Sequence, residues 1–106
     1  MRLVRIKKIY LDLITSGQKK YEIRAESSRT KNVTTGDQIL FMSGRYYKAV
    51  ADIVSTQRFS TRDALLEAIP ACDLGAESSQ EVRSILKEVY PQDPPLLAWE
   101  LEVVEG

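Results

Sequence analysis

The residues best suited to chemistry lie in one short stretch, GQKKYEIR, which runs from Gly17 to Arg24. Lys19 and Lys20 carry ammonium groups, and Glu22 and Arg24 carry a carboxylate and a guanidinium. Side chains alternate along a strand, so an extended stretch would place Lys20, Glu22 and Arg24 on one face. Such a charged face is either a solvated outer surface or the floor of a polar site, and both interpretations are open.

The chemistry of this stretch depends on the pKa of Lys19. A lysine becomes a useful base or nucleophile only if its pKa falls several units from about 10.4, through burial or nearby positive charge. Lys20 and Arg24 act in that direction, whereas Glu22 opposes them because it favours the ammonium form. We therefore treat Lys19 and Glu22 as the candidate catalytic residues.

The same residues also suit binding. Glu22 and Arg24 can pair, and the pair would hold the planar fork of Arg24 toward a phosphate or a base edge. Alternatively, the pair is an exposed salt bridge worth at most about 1 kcal/mol. The sequence does not fix the geometry, so binding is at least as well supported as hydrolysis.

Further binding candidates come from the polar loop after this stretch and from a later pair of tyrosines. The loop, residues 26–37, is rich in hydroxyl groups. Tyr46 and Tyr47 fall on opposite faces of a predicted strand, so one of them is free to stack on a base. The candidate ligand-binding residues are Lys20, Arg24, Ser27, Ser28, Arg29 and Tyr46.

Composition excludes several classes of function. The chain has 106 residues, enough for one domain spanning residues 1–106, and its 43% hydrophobic and 28% charged fractions are those of a globular protein. One cysteine, Cys72, excludes an internal disulfide, and the lack of histidine argues against a zinc site or a histidine-based triad. We predict no metal and no cofactor. No apolar run reaches membrane-span length and no secretory signal is evident, so we predict no membrane association and a cytoplasmic protein.

Charge is unevenly distributed although the formal net charge is zero. Residues 1–31 hold nine Lys or Arg and three acids, a formal charge of +6, so the remaining residues carry −6. This segregation can create a basic face suited to phosphate or nucleic acid, or it can disperse on folding. We therefore predict RNA, a nucleotide or a nucleoside as the ligand, and leave any protein or ribonucleoprotein partner open.

Periodicity predicts an α+β domain. A strand over residues 2–7 precedes a helix from Ile9 to Ser16, whose shared face would be Tyr10, Leu13 and Ile14. The charged strand and the polar loop come next, followed by two strands joined at Ser43-Gly44-Arg45. A helix capped by Ser60 or Thr61, a linker over residues 71–78, a helix with a Ser78/Glu81 capping box and a final strand complete the chain. A small, mostly antiparallel curved sheet or β-barrel with peripheral helices accommodates this order.

In order and spacing, these pieces resemble the ASCH family, small domains of the PUA-like β-barrel group. The helix end LITSG leads into a G-x-K-x-x-E-x-R signature formed by Gly17, Lys19, Glu22 and Arg24. Gly36-Asp37 precedes an apolar strand, a later helix ends in Tyr90-Pro91, and the closing strand reads Trp99-Glu100-Leu101-Glu102. The resemblance covers essentially the whole chain.

The resemblance implies a PUA-like barrel with a cleft beside the signature strand, used for RNA or nucleotide binding. The family also includes small amidohydrolases that remove the acetyl group from N4-acetylcytidine with a Lys, a Thr and a later Glu. The Lys falls on Lys19, but the Thr position falls on Glu22. The later Glu has no clear counterpart, because Gly75 occupies its place and Asp73 and Glu77 flank it.

The sequence thus supports an RNA- or nucleotide-binding cleft first, and an amidohydrolase with Lys19 as its activated group second. Metal-independent RNA cleavage by lysine and glutamate is a third interpretation, and an interaction domain without a ligand is a fourth.

Overall fold

A single five-stranded sheet organises the chain in the computed structural model, which describes all 106 residues. The strands are β1 (Arg2–Arg5), β2 (Tyr21–Ala25), β3 (Gln38–Ser43), β4 (Tyr47–Phe59) and β5 (Leu96–Glu105). The helices are α1 (Lys8–Thr15), α2 (Arg62–Ala68) and α3 (Ser79–Val89), with a 3-10 turn at Ala71–Asp73. The predicted α+β order of elements is confirmed.

The sheet is curled and leaves two free edges. Its strand order is β1-β3-β4-β5-β2; β1 pairs with β3 in parallel, and the other pairs are antiparallel. The 13-residue β4 shifts register between Val50 and Ala51 and again between Ile53 and Ser55. Such irregularities increase twist and bend a strand. The sheet consequently forms a half-barrel, in agreement with the predicted curved, mostly antiparallel architecture.

The concave face of the sheet packs against α1. Leu11 and Ile14 of this helix are buried there with Phe41, Ile53 and Trp99 of the sheet. The predicted helix face was partly wrong, since Tyr10 and Leu13 are only partly buried and line a cleft. Burial of positions 11 and 14 leaves the neighbouring positions at the edge of the helix, where they are free to contact other elements.

The convex face carries a second core beneath α2 and α3. Leu65, Val82 and Leu86 of these helices pack with Leu96 and Ala98 of β5. The outward-facing Ala98 is therefore covered completely, at 0% exposure. Strand β5 therefore carries apolar residues on both faces, because one face packs in the first core and the other in the second.

Hydroxyl caps fix the start of both later helices. Thr61 accepts a hydrogen bond from the Ala64 N–H, and Ser78 accepts one from the Glu81 N–H, both at 3.1 Å. The carboxylate of Glu81 accepts from the Glu77 N–H at 3.1 Å, one residue before the cap, so the predicted capping box is displaced by one residue.

None of the three helices has both the length and the apolar character needed to cross a membrane.

Candidate functional site

Lys19, Glu22 and Arg24 converge on the concave side of the sheet. Lys19 precedes β2, whereas Glu22 and Arg24 alternate along that strand. Lys19 is only 8% exposed and Glu22 only 6%. Charged side chains are seldom this buried in globular proteins unless they are paired. The solvated-surface interpretation of this stretch is therefore wrong.

Arg24 holds the carboxylate of Glu22 in a fixed orientation. Its Nε and Nη2 atoms donate hydrogen bonds of 3.0 and 2.7 Å to Oε2 of Glu22. Nη2 also donates to the backbone carbonyl of Arg5 at 3.3 Å. Because Arg5 ends β1 and Arg24 lies in β2, this bond connects the two edge strands of the half-barrel. Arg24 thus orients Glu22 and also links the two edge strands, β1 and β2.

The second carboxylate oxygen of Glu22 faces the ammonium group of Lys19. Oε1 lies 3.7 Å from Nζ, close enough for an ion pair but beyond a normal hydrogen bond. Neither atom is both completely buried and without a partner. Because no other group bonds to either atom at hydrogen-bond distance, Oε1 of Glu22 can still accept a hydrogen bond and Nζ of Lys19 can still donate one.

The surroundings of Lys19 lower the pKa of its ammonium group. Burial lowers the pKa of the Lys19 ammonium below its ordinary value of 10.5, Glu22 partly opposes this shift, and Arg24 adds to it. The Tyr10 ring centroid lies 6.0 Å from Nζ, at the limit of a cation–π contact. The net direction is toward a lysine that loses its proton more readily than one in water.

Backbone contacts from two directions position Lys19. Gly17 ends α1 with φ +82°, and the Lys19 N–H donates to the Leu13 carbonyl at 2.9 Å. On its other side Lys19 forms an isolated antiparallel bridge with Leu74. The following Gly75 has φ +76°, and a Cβ there would lie 3.3 Å from Cβ of Lys19. Glycine is therefore required where the two segments meet.

These residues lie at one side of a cleft between α1 and α3 with a volume of about 880 Å³. Twelve of its 20 lining residues are hydrophobic. The apolar walls include Ile9, Leu13, Ile85, Val89 and Tyr90. Ile9 and Val89 are 64% and 57% exposed, so each helix contributes an uncovered apolar side chain. The site thus combines a small group of buried charges with apolar walls.

The two sides of the cleft carry opposite charge. The junction between β1 and α1 contributes Arg5 and Lys7, whereas Glu77 comes from the segment before α3 and Glu81 from the first turn of that helix. We call these the basic lip and the acidic lip. An anionic ligand is attracted to the first and repelled by the second.

Trp99 lies beside the buried carboxylate. In the register of β2 and β5 it is the direct partner of Glu22, and directly paired residues project from the same face of a sheet. The indole is 1% exposed, and its Nε1–H has no hydrogen-bond partner. A buried indole N–H without a partner costs free energy, so the core beside Glu22 holds an unpaired donor that does not line the cleft.

The remaining predicted binding residues lie outside the cleft. Lys20 points away, 62% exposed, with Nζ 3.6 Å from Oδ1 of Asp73. Ser27, Ser28 and Arg29 are exposed in the turn after β2. There the Ser27 hydroxyl bonds to Thr30, and the Arg29 carbonyl accepts from Arg2. Tyr46 is 85% exposed in the β3–β4 turn and lines a different cavity.

The flanking acids are arranged unequally. Glu77 lines the cleft, whereas Asp73 does not and instead contacts Lys20 through its side chain and its carbonyl. Glu81 also lines the cleft, which the helix-cap pattern alone did not indicate. The structure contains no group of three or more acidic or cysteine side chains arranged to hold a metal ion.

Tyr10, Gly75 and Trp99 were missed as neighbours of the site. The helical pattern predicts Tyr10 on the buried face of α1, and Trp99 stands only in the closing-strand motif. Gly75 fell in a presumed linker, although a glycine five residues after Pro70 was a signal for a constrained turn. No sequence pattern pairs residues 74–75 with Lys19, since that contact spans more than fifty positions.

A curled five-stranded half-barrel with three helices packed around it is the architecture of a PUA-like domain. The sequence pattern of the ASCH domain matches residues 4–106, and the chain belongs to the ASCH domain family. The resemblance inferred from the signature is confirmed. No curated protein matches the chain significantly.

Solved structures share the fold at low sequence identity. Hypothetical protein PH0355 superposes with a TM-score of 0.85 and 22% identity, covering 98% of this chain and 100% of that one. Protein PF0455 from Pyrococcus furiosus superposes with a TM-score of 0.70 and 20% identity, covering 99% of this chain and 98% of that one. The ASCH protein from Zymomonas mobilis superposes with a TM-score of 0.70 and 14% identity, covering 94% of this chain and 65% of that one.

Proposed function

We propose that this chain binds RNA or a nucleotide, with one base held in the cleft beside Lys19, Glu22 and Arg24. The observation that carries this proposal is the convergence of these three charged side chains in one cleft, two of them less than a tenth exposed. Buried charge is costly, so strongly perturbed groups concentrate at functional sites.

The donors and acceptors of the site suit the edge of a base. Oε1 of Glu22 is an acceptor, Nζ of Lys19 is a donor, and the two are 3.7 Å apart. Cytosine and guanine present donors and acceptors side by side on their edges, and a carboxylate is a suitable acceptor for an exocyclic amino group. A base that enters edge first would satisfy both atoms at once.

The walls suit the faces of the same base. Ile9 of α1 and Val89 of α3 both line the cleft and are largely uncovered. Flat aromatic ligands gain affinity from apolar contact on their two faces, largely independently of base identity. The apolar walls of the cleft would thus supply affinity, and Lys19 and Glu22 would select the base by the hydrogen-bonding groups on its edge.

Arg24→Ala tests the binding proposal. Loss of the guanidinium frees Glu22 to rotate, so we expect affinity for cytidine monophosphate or RNA at low salt to fall at least about tenfold. Arg58→Ala is a matched control, because Arg58 pairs with Glu26 at 2.8 Å and does not line the cleft. Equilibrium binding by calorimetry measures both variants across a salt series. No binding by the wild-type protein at low salt would overturn the proposal.

A second function is favoured by the lowered pKa of Lys19. A buried lysine with a lowered pKa loses its proton at a lower pH than a lysine in water, and its neutral amine can act as a general base or a nucleophile toward an acyl group. With Glu77 in the cleft as an acid, the site could act as an amidohydrolase on an N4-acetylcytidine-like nucleoside. Glu22 stands where the related hydrolases have a hydroxyl, which makes binding the first proposal.

Incubation with N4-acetylcytidine tests this second function. We expect cytidine to form with the wild-type protein and with Lys20→Met, whose side chain lies outside the cleft. Lys19→Met should abolish turnover. The enzymatic proposal fails if the wild-type protein releases no cytidine, or if Lys19→Met releases it at the wild-type rate.

A further inference from the structure

A basic and aromatic surface includes the basic lip of the cleft and extends beyond it. It consists of the exposed side chains at the β1–α1 junction and in the β3–β4 turn, and we call it the hairpin surface. Its members are Arg5, Lys7, Lys8, Arg45, Tyr46, Tyr47 and Lys48. The segments that supply them, residues 1–8 and 43–50, contain no Asp or Glu.

Direct contacts join the turn to the basic lip. Nη1 of Arg5 donates to the Gly44 carbonyl at 3.4 Å, and Nζ of Lys8 lies 4.5 Å from the Tyr47 ring centroid. Arg5 also lines the cleft, and its carbonyl accepts a hydrogen bond from Arg24. The hairpin surface is therefore continuous with the site.

This surface has the composition of a single-strand binding track. Tyr46 is 85% exposed and Tyr47 is 55% exposed, so at least one ring is free to stack on a base. Of the five cations, Lys8 has a carboxylate partner, Asp12 at 2.9 Å, whereas the other four form no salt bridge. Cations for the phosphates together with aromatic rings for the bases are what single-stranded nucleic acid requires.

We propose that a single RNA strand with one base in the cleft leaves over the basic lip and continues onto the hairpin surface. Its phosphates would lie near Arg5, Lys7, Arg45 and Lys48, and a neighbouring base would stack on Tyr46. The acidic lip, with Glu77 and Glu81, repels phosphates from the opposite exit. This inference rests on the proposed function, and it adds the class of ligand and the direction of the strand.

The test compares a mononucleotide with a longer strand. Cytidine monophosphate and an eight-nucleotide single-stranded RNA are titrated into the wild-type protein and into the double variant Arg45→Ala/Tyr46→Ala. We expect the double variant to lose about tenfold in affinity for the RNA. The salt slope should fall by about 0.7 for the lost arginine. Affinity for the mononucleotide should be unchanged.

Two further variants separate the surface from the cleft. Lys48→Ala should weaken RNA binding without changing mononucleotide binding, whereas Arg83→Ala, whose partner is Asp63 of α2, should change neither. The inference is overturned if the RNA binds no tighter than the mononucleotide, or if the double variant keeps full affinity for RNA. If one of these outcomes occurs and Arg24→Ala loses affinity for both the RNA and the mononucleotide, the proposed function stands but the hairpin surface is not part of the binding site. If Arg24→Ala changes neither ligand's binding, both proposals fail.

Discussion

Lys19 is the residue at which stability and function oppose each other. Its side chain is 8% exposed, and the carboxylate oxygen that pairs with its ammonium group is 3.7 Å away, so the ion pair compensates only weakly for the loss of hydration. Glu22 also accepts two hydrogen bonds from Arg24, so it has a second cationic partner besides Lys19. A buried pair of this kind is weak support for folding and strong support for a role in binding or catalysis.

Lys19→Met should therefore stabilise the protein. Methionine keeps the unbranched stem and removes the desolvated charge, so we expect the free energy of unfolding at pH 7 to rise by about 1 kcal/mol. Chemical denaturation measures the change. Lys20→Met, at a 62% exposed side chain, should stay within about 0.5 kcal/mol of wild type. Destabilisation of Lys19→Met by more than 1 kcal/mol would mean that the ion pair holds the fold together.

The pH dependence of this effect has a defined sign. Burial lowers the pKa of Lys19 in the folded state below 10.5, so the unfolded chain binds the proton more tightly. Wild-type stability should rise with pH between the folded pKa and 10.5, because folding releases a proton there. The advantage of Lys19→Met should be greatest below that window and shrink through it. Denaturation curves at several alkaline pH values measure the difference, and an advantage that grows with pH would contradict the shift.

At the scale of elements, the turn after α2 matters as much as the strand that carries the signature. Leu74 forms a bridge with Lys19, and Gly75 approaches the same residue so closely that a Cβ would lie only 3.3 Å from the Cβ of Lys19. The segment predicted as a linker is thus a wall of the site. Its shape is set by the 3-10 turn at Ala71–Asp73 and by the left-handed conformation of Gly75.

Gly75→Ala should damage both stability and the site. A Cβ at φ +76° is strained and would lie 3.1 Å from Cδ1 of Leu13 and 3.3 Å from Cβ of Lys19. We expect a loss of about 1–2 kcal/mol from the backbone alone, together with weaker nucleotide binding. Gly17→Ala, at φ +82° with nothing within 4 Å of the added Cβ, isolates the backbone strain. Equal nucleotide affinity in the two variants would show that the close approach does not shape the site.

The elements were largely predictable because each has a local signal. Gly17 ends α1, Thr61 and Ser78 cap α2 and α3, and strand alternation placed Glu22 and Arg24 on one face. Lys20 departs from that alternation, since it precedes β2 and is drawn to Asp73. The contact of Leu74 with Lys19 has no local signal, because it depends on how α1 and the turn after α2 pack against the same edge of the sheet.

At the scale of the whole molecule, part of the segregation of charge along the sequence reappears at the cleft. Basic residues of the first segment form one lip of the cleft, and acids of the second half form the other. The excess of basic residues in the first segment can be counted from the sequence. The position of the basic and acidic lips on opposite sides of a cleft cannot, because it depends on α1 and α3 facing each other. A formally neutral protein thus presents a directional field to an anionic ligand.

Glu77→Gln tests the acidic lip. Removal of one negative charge should tighten cytidine monophosphate binding by about two- to fivefold at low salt, and the gain should fade at high salt. Binding of uncharged cytidine should be unchanged. Glu88→Gln, on α3 but outside the lining of the cleft, is the matched control. A gain in cytidine affinity equal to the gain for the nucleotide would show a direct contact rather than a long-range field.

The position of Trp99 gives the protein an intrinsic optical reporter. It is the single tryptophan of the chain, and it is 1% exposed opposite Glu22. Indole emission responds to nearby charge and to quenching by stacked or adjacent groups, so occupation of the site should change its intensity without any label. The same signal should be unaffected by ligands that touch only the hairpin turn. Fluorescence of one residue can therefore distinguish the two binding surfaces in a single titration.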